Sequence, residues 1–168
     1  MPQLPDLASL ARQDERLRDV AIDRPAVERA LAEAERRLAA GETTLLHTYA
    51  GQAARLLGRN ESAISHLSRA LDLEPSPQAR IRLGEAYRCA DRYDEAFAEL
   101  ATALSEARDT PHEDFALQHL GKALLDSGRA REAVEALAAA LELRRAKGDP
   151  DLIESTERAL ARAHERLA

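Results

Sequence analysis

Residues 82–104 read RLGEAYRCADRYDEAFAELATAL, and they decide the fold because the chain writes them three times. GQAARLLGRNESAISHLSRAL at 51–71 precedes them and GKALLDSGRAREAVEALAAAL at 121–141 follows. Each copy starts at a glycine (Gly51, Gly84, Gly121), carries a turn signal seven residues later and ends in Ala-Leu. The glycines are 33 and 37 residues apart. Twelve residues after each stands Ala63, Ala96 or Ala133, and seven beyond those Ala70, Ala103 or Ala140. Spacing inside the unit is constant while the connectors vary, as expected of structural modules joined by tolerant loops.

The physical reading is close helix packing. In each unit the first helix offers a glycine and the second an alanine, so two antiparallel backbones approach until neighbouring leucines interlock. Large residues at these positions would hold the helices apart.

The units resemble the tetratricopeptide repeat, whose pattern is W-x2-L-G-x2-Y, then A-x3-F, then Pro. The middle unit reads Arg80-x2-Leu83-Gly84-x2-Tyr87, then Ala96-x3-Leu100-x2-Ala103, with Arg80 and Arg108 where the pattern has Trp and Pro. The third reads Leu117-x2-Leu120-Gly121-x2-Leu124, then Ala133-x3-Leu137. The first reads His47-x2-Ala50-Gly51-x2-Ala54, then Ala63-x3-Leu67, closing on Pro75. The resemblance implies an all-α fold: a right-handed α-α superhelix, or solenoid, of helix-turn-helix repeats. One domain is expected over 1–168, with repeats at 44–76, 77–109 and 114–147. Residues 1–42 are expected to form a degenerate helical hairpin, and 149–168 a capping helix whose single apolar stripe shields the last repeat.

Capping chemistry sets the helix ends. Ser76-Pro77, Thr110-Pro111 and Asp149-Pro150 each offer an N-cap oxygen before a proline, and Thr110 with Glu113 makes a capping-box pattern. Gly41, Gly58 and Gly128 fit C-terminal stops. These signals predict nine helices, near 5–20, 25–40, 43–57, 60–73, 77–90, 93–107, 111–127, 130–147 and 150–167, and no strand.

Composition agrees and narrows function. The 168 residues are 45% hydrophobic but only 3% aromatic, and 32% charged with both signs interspersed, which favours long helices with solvated faces. Net charge is −6, so the broadly basic, stacking-rich surface of a nucleic-acid binder is not expected. Cys89 is the sole cysteine, which excludes an intramolecular disulfide and a cysteine-rich metal cluster. The sequence shows no apolar run long enough to span a bilayer and no secretory leader pattern, so a cytoplasmic protein without a membrane partner is expected.

The chain offers little catalytic chemistry. It has no glycine-rich phosphate loop, no H-E-x-x-H and no G-x-S-x-G. None of its five histidines (His47, His66, His112, His119, His164) has another at i+3 or i+4. Cys89 and His119 could meet on adjacent first helices, but an ordinary small thiol and a polar wall residue is the plainer reading. The charge-dense runs ARQDERLRD and AEAERRLA read as solvated helix faces. Neither catalytic residues, nor metal ligands, nor a cofactor site are expected.

In the family this chain resembles, first helices line a concave groove. Carrying that pattern over gives Tyr49, Gln52 and Arg55 in the first unit, Gln78, Arg82, Glu85 and Arg88 in the second, and Gln118, His119 and Lys122 in the third. Four cations against one carboxylate make a locally basic groove on an acidic chain, suited to an acidic or C-terminal carboxylate segment. Solvated arginines, paired with Glu85 or Asp126, are an equal alternative. Tyr49 and Phe115 are candidate anchors, with Phe115 also readable as a contact between repeats. The expected function is a noncatalytic protein- or peptide-binding scaffold. The alternative is a homo-oligomerising structural or regulatory protein that self-associates through its repeat faces.

Overall fold

In a computed structural model, residues 3–167 are described. Eight α-helices follow one another: α1 (Arg24–Leu38), α2 (Thr44–Leu56), α3 (Asn60–Leu73), α4 (Pro77–Cys89), α5 (Tyr93–Ala107), α6 (Glu113–Asp126), α7 (Ala130–Lys147) and α8 (Pro150–Glu165). The pairs α2/α3, α4/α5 and α6/α7 make the largest contacts, and each pair packs on the next. α1 covers one end of this all-α superhelical stack and α8 the other. Among the described residues no helix is long and apolar enough to cross a membrane.

The three glycines lie where backbones nearly touch. A Cβ placed on Gly51 would stand 2.5 Å from Leu67 Cγ; on Gly84, 2.6 Å from Leu100 Cγ; on Gly121, 2.6 Å from Leu137 Cγ. The carbonyls of Ala63 and Ala96 follow at 3.3 and 3.4 Å. The small alanine brings the second helix close, and the leucine four residues on fills the notch above the glycine. Leu67, Leu100 and Leu137 are buried at the centre of the stack.

The turn seven residues after each glycine is built alike three times. Gly58, Asp91 and Gly128 adopt left-handed φ values of 71°, 59° and 86°. The next residue's N–H then reaches back: Arg59 to Ala54 O, Arg92 to Tyr87 O and Arg129 to Leu124 O, at 2.8–2.9 Å. This closes the first helix by satisfying one of its last carbonyls. Ser76 and Asp149 cap α4 and α8 as expected, accepting from Ala79 N and from Asp151 N and Leu152 N. At Thr110 the cap is displaced: α6 begins at Glu113 after His112. Thr110 Oγ1 accepts from His112 N and the Glu113 carboxylate accepts from Asp109 N, so the two residues brace the approach to the helix.

The N-terminal expectation fails. Residues 5–20 are not a helix, and the degenerate helical hairpin within 1–42 does not form. A 3-10 turn (Ala8–Leu10) leads into an antiparallel ribbon of β1 (Ala11–Gln13) and β2 (Asp19–Ala21), with Ala11 opposite Ala21, Arg12 opposite Val20 and Gln13 opposite Asp19. The run ARQDERLRD is therefore no solvated helix face. Asp14 drives the turn: its Oδ1 accepts from Arg16 N and Arg18 N, and its own N–H donates to Arg18 O. A short acceptor that competes for nearby N–H groups favours a turn over a helix. Leu17, within this turn, adopts a left-handed φ of 57°. The second charged run behaves as expected, with Glu33 on α1 receiving both Arg36 and Arg37 at 2.7 Å.

Candidate functional site: a concave face partly occupied by the chain itself

The first helices α2, α4 and α6 face a common hollow, and the N-terminal ribbon lies along it. A cavity of about 390 Å³ remains beside the ribbon. It is lined by Asp19 from β2, Gln52 and Arg55 from α2, Gln78, Ile81, Arg82 and Glu85 from α4, and Phe115 and His119 from α6, with Leu67 and His112 completing the wall. Six of the ten expected groove residues thus converge: Gln52, Arg55, Gln78, Arg82, Glu85 and His119.

The other four do not line this cavity. The Tyr49 hydroxyl donates to the Pro5 carbonyl at 2.8 Å and so holds the N-terminal segment. Gln118 is buried, and neither of its amide atoms has a hydrogen-bond partner among the described residues. Lys122 is buried, and burial pushes its ammonium down against the pull of Glu85. Arg88 is fully buried. Its guanidinium grips Glu85 through Nε at 2.9 Å and Nη2 at 2.7 Å, and Asp126 at 2.7 Å. It also donates to the carbonyls of Arg16 and Leu17, both at 3.2 Å.

These contacts correct the expected charge. Arg55 is held by Asp19 at 3.0 Å and stands 3.8 Å from Glu85. Glu85 also takes His119 Nδ1 at 2.9 Å. Burial pushes the Glu85 carboxyl up, yet Arg88, His119 and Lys122 together hold it well below the usual carboxylate range. The cavity wall carries Arg55 and Arg82 against Asp19 and Glu85, so it is balanced rather than basic. The ribbon, invisible as such in the sequence, supplies the neutralising Asp19. Among the described residues no carboxylate is set against Arg82, alone of these cations. It is partly buried, and desolvation pushes its guanidinium down with nothing opposing. Ile81 and Phe115 give the same cavity an apolar wall. Arg144 from α7 lies over the Phe115 ring at 5.2 Å, and Phe115 also packs against the apolar cluster of Ile81, Ala96 and Leu100 from α4 and α5, so it serves both the cavity and the packing between repeats.

Cys89 and His119 do not combine. His119 is committed to Glu85, and burial pushes the buried Cys89 thiol up, away from thiolate chemistry. Among the described residues no group of three or more His, Cys, Asp and Glu side chains is placed to hold a metal ion. Sequence spacing missed one histidine pair. His47 on α2 and His66 on α3 bring their Nδ1 atoms to 3.1 Å, because partners across a helical hairpin are not i+3 or i+4 neighbours.

The tetratricopeptide repeat model of the family matches residues 50–77 and 116–147. The fold is similar to a Podosopora anserina kinesin light chain-like protein with nearly identical TPR-like repeats, at TM-score 0.65 and 18% identity over 84% of this chain and 79% of that one. It is also similar to MamA, at TM-score 0.60 and 19% identity over 84% and 89% of the two chains. A MamA RS-1 ArsTM double mutant gives TM-score 0.61 and 19% identity over 85% and 86%. No curated protein matches the chain.

Proposed function

We propose that the chain, which carries tetratricopeptide repeats on a superhelical all-α scaffold, is a noncatalytic module that binds a short protein segment in the cavity between α2, α4 and α6. Repeats of this kind generally mediate protein–protein interaction, and stacked helical hairpins present a rigid concave surface suited to it. The observation that carries the reading is Arg82: a partly buried guanidinium that no carboxylate among the described residues pairs, beside the apolar surfaces of Ile81 and Phe115. A segment that brings one carboxylate to Arg82 and one apolar side chain to Phe115 satisfies both. The carboxylate can be an acidic side chain or a chain terminus, since a guanidinium receives either bidentately.

The test is a titration of short acidic and free-carboxylate peptides, with and without a neighbouring leucine, at low and moderate salt. Arg82→Glu is expected to weaken every genuine hit by about ten-fold or more, because it replaces attraction with repulsion at the cavity arginine that no described carboxylate pairs. Hits that bind Arg82→Glu as well as they bind the parent chain would refute the assignment. Arg88 is no part of this test, because it belongs to the core.

A further inference from the structure

The ribbon is held the way a bound peptide is held. Its strands pair only with each other, and each has three residues, too few for independent stability. Its grip on the repeats comes from side chains and two of its own carbonyls. Buried Arg88 donates to the Arg16 and Leu17 carbonyls. Arg16 and Arg18 reach Asp91 at 2.9 and 2.7 Å, and both stand 3.7 Å from Asp126. Between them Leu17, 9% exposed, joins the apolar cluster of Leu124, Leu125 and Ala159 from α6 and α8.

We infer that this end of the concave face is a recognition site for a turn of basic–apolar–basic pattern, and that residues 14–18 occupy it in cis. An outside protein segment that presents Arg or Lys on either side of a leucine enters by displacing the ribbon. The chemistry is opposite in sign to that of the Arg82 cavity: here two carboxylates and a carbonyl-binding arginine face the ligand. The contacts of residues 14–18 lie outside that cavity, whose wall the ribbon enters only through Asp19, so failure of either assignment leaves the other standing.

The probe is a fluorescein-labelled peptide of residues 12–20, RQDERLRDV, titrated into the full chain. Receivers are the parent chain, Leu17→Asp, and the double variant Arg16→Ala with Arg18→Ala. Amide exchange at residues 14–20 reports whether the ribbon has left. Both variants should lose protection there and capture the peptide about ten-fold or more tighter than the parent, whose tethered copy competes at high effective concentration. The same peptide carrying Leu17→Asp should not bind. Three results overturn the inference: release without capture, equal capture by the parent chain, or protection retained in both variants. Should Leu17→Asp lose its helical circular dichroism, the arginine pair, which leaves Leu17 itself unchanged, carries the test.

Discussion

Arg82 and Arg88 stand six residues apart on α4 and live in different worlds. Arg82 looks into an open cavity, and no carboxylate among the described residues is set against it. Arg88 is sealed under the ribbon and donates to Glu85, Asp126 and two carbonyls. One residue type in one helix thus does two jobs, and the difference is made by a segment far away in sequence. Residues 14–18 cover one end of the concave face and leave the other open. A list of groove positions therefore says which residues face inward, not which remain free to meet a partner.

The comparison breaks most visibly at Arg88. Arg88→Met takes the closest cation from Glu85 and Asp126 and removes the donors for two ribbon carbonyls, and is expected to cost about 3–5 kcal/mol in urea unfolding. A smaller loss, comparable to that of Arg82→Met, would place Arg88 outside the core. Gly84→Leu should cost about 1–3 kcal/mol by thermal melt, because the new side chain meets Leu100. It acts on the stack alone, so amide protection at residues 14–18 should survive it.

Acid should then separate the ribbon from the repeats. Burial pushes Asp91 up, but hydrogen bonds from Tyr93, Arg16 and Arg18 lower it from 3.8 to about 2. A carboxylate depressed in the folded state contributes stability above its unfolded value and loses it as pH falls through its folded value. Ribbon protection should therefore fade from pH about 4 down to about 2, and Asp91→Asn should remove that pH dependence while leaving the helical signal unchanged. The smallest effect belongs to Arg82→Met, within about 0.5 kcal/mol of the parent in the same urea experiment. A loss above 1.5 kcal/mol would show that Arg82 has a structural partner after all.

The repeat stack was legible because its signals are local and written three times. Gly84 predicts Leu100, and the turn signals at Gly58, Asp91 and Gly128 predict the three left-handed residues. Three of the terminal caps, by contrast, depend on a single residue each, and Thr110 yielded its expected place to His112. The ribbon was illegible for a different reason. ARQDERLRD is as good a solvated helix as a turn until Arg88, Asp91 and Asp126 are present to receive it, and local propensity gives way to such tertiary contacts. The site inherited the same blindness. Spacing put Arg55, Arg82, Arg88 and Lys122 on the inner wall, but the burial of Arg88 and the pairing of Arg55 with Asp19 come from a segment read as a separate hairpin.

A solenoid usually bends freely, since each repeat touches only its neighbours. Here Asp19 is tied to α2 through Arg55, while Leu17, two residues earlier, is embedded with Ala159 of α8. The N-terminal segment thus strings the arc from one end to the other like a chord. Flexing the arc must stretch that chord, so curvature and occupancy of the inner wall become a single mechanical variable.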